Sequence, residues 1–201
     1  MRVLVACEES GRVTKAFRDI GHQAFSCDIK PTTGMLPEYH IIDNVLNQIN
    51  KEWDMIIAFP PCTYFSRMNF LNYYRNGKFN EKRFEKAMYY VDLFNNIYNA
   101  KCPKIAIENP VPFKLFDKLL PPYSMFLQPY EFGENYSKKT CLWLKGLPPL
   151  IPTNYCIIRK PLITVSNSFE KYKTIEEQST YRSKTPYGLA EAMAQQWGNL
   201  E

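Results

Sequence analysis

The 201-residue chain is 45% hydrophobic and 22% charged, a balance that excludes a disordered chain and gives one sizeable core but is short for two. Its net charge of +5 carries no basic tail or Lys/Arg block; such a surface tolerates a phosphate-bearing partner without demanding one. No apolar run approaches the ~20 residues that span a bilayer. The six cysteines, Cys7, Cys27, Cys62, Cys102, Cys141 and Cys156, show no CxxC pairing, so no metal site is expected. The opening MRVLVAC reads as a strand rather than a signal peptide, which implies reduced thiols in a cytoplasmic protein.

In chain order, Arg2–Cys7 is a β-branched apolar run of the kind buried on both sheet faces. After the polar Glu8-Glu9-Ser10-Gly11, the residues Val13, Ala16, Phe17 and Ile20 recur at helical spacing, and Gly21 closes the helix. Gln23–Ile29 is a second strand ending on Asp28, which makes a βαβ start and favours a parallel sheet. A short strand precedes Asp43, and Asp54–Phe59 is a further strand running into Pro60-Pro61-Cys62. Residues Leu71–Asn80 have no period and read as a loop. Phe84, Met88, Val91, Phe94 and Ile97 mark an amphipathic helix over about Glu81–Asn99. Lys104–Ile107 is a strand leading into Glu108-Asn109-Pro110.

Beyond it, Phe126–Phe132 and Thr140–Leu144 read as antiparallel strands added at the sheet edge. Gly146–Pro161 is Pro-rich and extended, Ser166–Thr185 is polar and reads as the mobile part, and Leu189, Met193 and Trp197 share one face of a terminal helix. The expected architecture is a single α/β domain with a mostly parallel sheet.

In an open parallel sheet ligands bind beyond the carboxyl ends of the strands. There the sequence places Glu8-Glu9-Ser10-Gly11, Asp28, Asp43, Pro61-Cys62 and Glu108-Asn109, all on one rim. Asp28 serves either as acceptor for a ribose diol or as a turn residue. Two glutamates in the first loop would repel a pyrophosphate but suit a ligand carrying a cation, such as a sulfonium. Cys62, on a stiff loop that prolines force out of the sheet, is either a nucleophile or a small hydrophobe filling a tight turn. Glu108 either donates a hydrogen bond to a ring nitrogen or binds backbone amides.

Together these residues resemble the DNA cytosine carbon-5 methyltransferase family, and small phage-type members most closely. Phe59-Pro60-Pro61-Cys62 with Phe65-Ser66 is similar to its Pro-Cys catalytic loop. Glu108-Asn109-Pro110 resembles its Glu-Asn-Val motif with Pro in place of Val. Asp28 and Asp43 match its cofactor-contacting acids, Ser137–Thr140 resembles its basic motif before a strand, and Thr185–Trp197 resembles its terminal helix. The resemblance implies a Rossmann-like class I fold, S-adenosyl-L-methionine as cofactor and DNA as partner, in a bacterial or phage-infected cytoplasm. It assigns catalysis to Cys62, Glu108 and Asn109, the last orienting Glu108 or holding the Cys62 loop. Cofactor contacts fall to Glu8, Ser10, Gly11, Asp28, Asp43 and Pro60, and substrate contacts to Ser66, Arg67, Lys138 and Lys139.

Two departures stand out. Cys7–Gly11 lacks the family's Phe-x-Gly-x-Gly pattern. Residues 151–185 form a reduced recognition region, too short for a separate target-recognition domain, which leaves room for a protein partner that supplies recognition. Two further readings keep the fold: methylation of single-stranded nucleic acid or a free cytosine nucleotide, and a catalytically silent nucleic-acid- or nucleotide-binding protein.

Overall fold

The computed structural model describes residues 1–75, 77–157, 160–161 and 174–200. Seven strands form one sheet: β1 (Arg2–Ala6), β2 (Gln23–Asp28), β3 (His40–Ile42), β4 (Met55–Ala58), β5 (Lys104–Pro110), β6 (Met125–Leu127) and β7 (Thr140–Lys145). Their order is β3-β2-β1-β4-β5-β7-β6. The first five are parallel, and β7 runs antiparallel to both β5 and β6. This is the expected Rossmann-like α/β arrangement, a mostly parallel sheet with antiparallel pairing on one side.

Strand alternation divides the core in two. Leu4, Ala6, Ile56, Ile105, Ile107 and Trp143 face helix α2 (Glu81–Tyr98), which supplies Val91, Phe94 and Ile97. Val3, Val5, Met55, Ile57, Ala106 and Leu142 face the other layer. There α1 (Arg12–Asp19) supplies Val13 and Phe17, and the C-terminal helix (Tyr187–Trp197) supplies Leu189, Met193 and Trp197. The central parallel strands β1, β4 and the first part of β5 are therefore covered on both faces, which is why each reads as an apolar run. The winding reverses between β1 and β4, so the crevice that such a sheet offers a ligand opens beyond Ala6 and Ala58.

Four elements differ from expectation. Thr140–Lys145 is interior, paired on both sides, and the edge falls to β6, which is shorter than Phe126–Phe132 because Pro129 starts a 3-10 turn (Pro129–Glu131). Strand β5 does not stop at Ile107; its pairing with β7 carries it through Glu108 and Asn109 to Pro110. Within 71–80, Tyr74–Arg75 pairs with Lys78–Phe79 as a small hairpin after a 3-10 turn over Arg67–Asn72. In the polar stretch 166–185, residues 166–173 lie outside the described residues, but Ile175–Ser183 is a helix, here α3, and the terminal helix is α4. Of the expected recognition region, residues 158–159 and 162–173 lie outside the described residues. No helix among the described residues is long and apolar enough to cross a membrane.

Candidate active site

The rim beyond β1 is built from a reversal of the chain. Cys7 has φ 56°, in the left-handed region that L residues rarely adopt, and Gly11 has φ 64°; together they turn the chain sharply into α1. Glu8 is 3% exposed and points inward rather than into the crevice. Its carboxylate accepts from Val13 N at 2.7 Å, from Thr14 N at 3.2 Å and from Thr14 Oγ1 at 2.7 Å, and so caps α1. Burial pushes the Glu8 carboxyl upward and these hydrogen bonds oppose it. The loop after β2 straps this turn: Thr33 N and Thr32 Oγ1 donate to Glu9 O at 2.9 and 2.7 Å. A side chain at Gly34 would lie 2.5 Å from Ser10 O.

Asp28 ends β2 partly exposed, and its Oδ1 accepts from Lys30 N at 3.0 Å. Its Oδ2 takes no hydrogen bond among the described residues. Asp43 is more committed. Its carboxylate accepts from Asn44 N at 2.7 Å, from Asn47 Nδ2 at 2.8 Å and from Gln48 Nε2. The Asn47 and Gln48 bonds hold its carboxyl below the usual range. It thereby organises the turn after β3.

Beyond β4 the chain runs through buried Pro60 and exposed Pro61 to Cys62, which is exposed. Cys62 O accepts from both Phe65 N and Ser66 N at 3.2 Å, closing a tight turn. The turn is anchored on several sides. Asn109 Nδ2 donates to Pro60 O at 2.8 Å. Phe113 N donates to Phe65 O at 2.8 Å, and Ser66 bridges Pro112. Arg83, in the first turn of α2, lies 5.0 and 5.2 Å from the rings of Tyr64 and Tyr73 and donates to Thr63 O at 3.2 Å.

Glu108 lies on β5, the strand next to β4. Its Oε1 accepts from Thr140 Oγ1, whose oxygen also lies 3.1 Å from Asn109 O. Glu108, Lys138, Thr140, Phe59, Thr185 and Pro186 line one small cleft. Alternation along the strand entering β7 separates the two lysines. Lys138 faces this cleft, whereas Lys139 turns away and stacks 4.0 Å over the ring of Phe126. Around Cys62, desolvation by its neighbours pushes the thiol above the ordinary range, Lys138 draws it back, and Glu108 raises it further. Lys138 and Glu108 therefore act on the Cys62 thiol with opposite signs. Arg67 opens its 3-10 turn, but its side chain lies outside the described residues.

Three contributors escaped the sequence reading. In the sequence Thr140 belongs to the basic motif and the strand after it with no role of its own, Arg83 to an amphipathic helix, and Arg12 to no motif. Arg12 donates to Thr185 O at 2.8 Å and sits 3.9 Å from the Tyr187 ring, holding the segment before α4 over the rim. A signal for it existed: a cation at a helix N-terminus opposes the macrodipole and needs a compensating contact. Lys138 assists by donating to Arg182 O at 3.1 Å.

No family profile matches the sequence, and no curated protein matches it. Solved structures do. The chain is similar to a prophage-encoded E. coli protein provisionally described as a DNA modification methyltransferase, with TM-score 0.50 and 12% identity over 78% of this chain and 52% of that one. It is also similar to the Entamoeba histolytica methyltransferase EhMeth, with TM-score 0.51 and 15% identity over 78% of this chain and 57% of that one. At these identities the likeness shows a shared Rossmann-like α/β fold alone, and this chain spans a little over half the length of each.

Proposed function

We propose that this protein is an S-adenosylmethionine-dependent methyltransferase acting on carbon 5 of cytosine, with Cys62 as nucleophile. The observation that carries the reading is the joint placement of Cys62 and Glu108 at the carboxyl ends of neighbouring strands, locked together through Asn109. A binding protein needs neither an exposed thiol nor a carboxyl group coupled to it.

The rim fits the cofactor in one specific respect: Asp28, partly exposed at the end of β2 with Oδ2 open, can accept the hydroxyls of a ribose. Ser10 and Gly11 line the turn beside it. Glu8 and Asp43, whose carboxylates serve internal donors, act by shaping the two loops rather than by reaching the ligand, and Pro60 does so through its carbonyl. When bound, S-adenosylmethionine supplies an electrophilic methyl carbon.

The chain's own residues supply the rest. Cys62 Sγ, as thiolate, forms a bond to carbon 6 of cytosine, and the ring electrons move to carbon 5. Glu108, entering as the acid, donates its proton towards ring nitrogen 3, which takes up charge as the adduct forms. After carbon 5 is alkylated, its proton leaves to solvent, the double bond re-forms and Cys62 departs as thiolate. Lys138 stabilises the anionic sulfur before and after. A stacked base cannot reach the site, so the cytosine arrives flipped or unpaired.

The test is transfer of labelled methyl from S-adenosylmethionine to duplex DNA, single-stranded DNA, RNA and deoxycytidine nucleotides, with wild type, Cys62→Ala and Cys62→Ser. The expected result is label on cytosine with wild type alone. Activity of Cys62→Ser near the wild-type level would sink the covalent route. Cofactor binding without transfer to any acceptor would favour the binding-protein reading.

A further inference from the structure

We infer that the surface following Cys62 that carries Phe70, Tyr74, Lys78, Phe79, Lys82 and Lys86 seats an unpaired polynucleotide strand that carries its cytosine to the thiol. The inference rests on Cys62 being the reacting group and adds the class of substrate.

Charge is the first observation. Residues 62–86 contain six Lys or Arg against Glu81 and Glu85, a net +4 of the whole chain's +5. Arg83 is engaged with Tyr64, Tyr73 and Thr63, but Lys78, Lys82 and Lys86 are exposed. Lys82 and Lys86 share one face of the first turns of α2, about 6 Å apart along the axis. The lysines suit successive phosphates.

The second observation is a platform of rings on the same segment. Phe70, Tyr74 and Phe79 are each about two-fifths exposed, at 40%, 41% and 39%. They contact one another, with centroids 5.3 Å apart for Phe70–Tyr74 and 5.4 Å for Tyr74–Phe79. Beneath them, Tyr73 and Phe116 are fully buried, and Phe113 packs 4.8 Å from Phe70. The rings are therefore held in place, which lowers the entropy lost when a base stacks on them. Beside Phe70 opens a cleft of about 640 Å³ walled by Phe113, Pro121, Pro122 and Tyr123, with Lys114 at its margin. That lies within the size range of small-ligand pockets. The platform joins the Cys62 turn directly through the Ser66–Pro112 bridge and the Phe113–Phe65 hydrogen bond.

Exposed rings interleaved with cations distinguish a single strand from a duplex. Stacking requires the π-face of a base, which a duplex hides and an unpaired strand presents. An apolar protein partner would be indifferent to the net +4.

The test measures fluorescence anisotropy of a labelled 12-nucleotide DNA strand, the same sequence as RNA, and the DNA duplex, across a salt series without cofactor. Single strands of at least one sugar type should bind at least tenfold more tightly than duplex. Lys78→Glu/Lys82→Glu/Lys86→Glu should weaken binding and flatten the slope of log affinity against log salt by about 2, at roughly 0.7 per phosphate contact. Phe70→Ala/Tyr74→Ala should weaken binding on the order of tenfold or more with the slope unchanged. The lysine variant touches no core contact, so it remains informative if the ring variant fails to fold. Equal or tighter binding of duplex, or affinities unmoved in a folded lysine variant, would overturn the inference. Cys62→Ala keeps this surface. Strand binding by Cys62→Ala with no methyl transfer by wild type would defeat the methyltransferase reading and spare this one; transfer to duplex without strand binding would do the reverse.

Discussion

Asn109 Nδ2 donates to the carbonyl of Pro60 at 2.8 Å, tying strand β5 to the loop that presents the thiol. The amide orientation is dictated by that carbonyl, because a flip would set two oxygens together. Its own Oδ1 is buried without a partner among the described residues. Replacing Asn109 by Ala therefore removes one buried hydrogen bond and one unsatisfied acceptor at once, and the two partly cancel. The expected stability cost is only about 1 kcal/mol, a fall in Tm of about 2–4 °C. The loop bearing Cys62 loses its tether, however, and kcat should drop at least about tenfold, because misplacement of a reacting group is costly far beyond its stability effect. A variant as active as wild type, assayed by methyl transfer beside thermal unfolding, would show that Asn109 holds nothing the reaction needs.

The hydroxyl of Thr140 holds Glu108 from the neighbouring strand. Thr140→Val keeps the shape and removes the donor, while Thr140→Ser keeps the donor. Losing a hydrogen bond to a carboxyl group costs about 1.5–3 kcal/mol, so Thr140→Val should fall roughly tenfold to a hundredfold in kcat with KM little changed. Thr140→Ser should recover most of the loss. Equal damage in both variants would mean that the methyl group, and not the hydroxyl, matters.

Cys62 gives a pH dependence with a definite sign. Its thiol is raised above the ordinary range, chiefly by desolvation and further by Glu108, while Lys138 lowers it. Below the thiol's own pKa the neutral form dominates, so the rate should climb about tenfold per pH unit and level off only on the alkaline side. Lys138→Met removes the favourable charge and should move the plateau to higher pH; Lys138→Arg should leave it near the wild-type position. The pH dependence of kcat/KM, or of thiol alkylation without substrate, reads the shift directly.

The strands and the long helix were legible because their signals are local. Burial on both faces makes β1, β4 and β5 continuous apolar runs, and the apolar stripe of α2 survives in the pattern alone. The place of β7 was not: Thr-Cys-Leu-Trp-Leu reads the same at an edge or in the interior, and only its partners decide. Helix α3 escaped because its residues carry no apolar stripe, although Thr174 and Glu177 form a capping box that the sequence does contain. At the site, Cys62, Asp28 and Glu108 could be located from strand ends. The inward turn of Glu8 and the commitment of Asp43 to Asn47 and Gln48 depend on local side-chain packing that spacing does not report.

Glu8 illustrates the cost of reading a polar loop as a ligand contact. Both carboxylate oxygens face donors of α1, in a site 3% exposed. Glu8→Gln replaces one acceptor oxygen by an amide that points hydrogens at those donors, at a cost of about 2 kcal/mol. Chemical denaturation should show a lower midpoint with an unchanged m-value. If instead stability were unaltered and cofactor affinity fell, the carboxylate would face the ligand after all.

Among the glycines, the one with least room for a side chain is Gly188, in the first turn of α4. A Cβ there would lie 1.8 Å from the carbonyl oxygen of Phe132, and backbone cannot swing aside as a side chain can. Gly188→Ala must push α4 off the sheet or move the segment after Pro129, at a cost of about 3 kcal/mol. The same helix carries Leu189 and follows Thr185 and Pro186, which wall the cleft over Glu108, so activity should fall with stability. Gly77→Ala is the contrast: nothing lies within 4 Å, and only its φ of +74° resists a side chain, which costs about 1 kcal/mol. Thermal unfolding of the pair separates collision from backbone strain. Equal losses would place α4 farther from Phe132 than the packing described here.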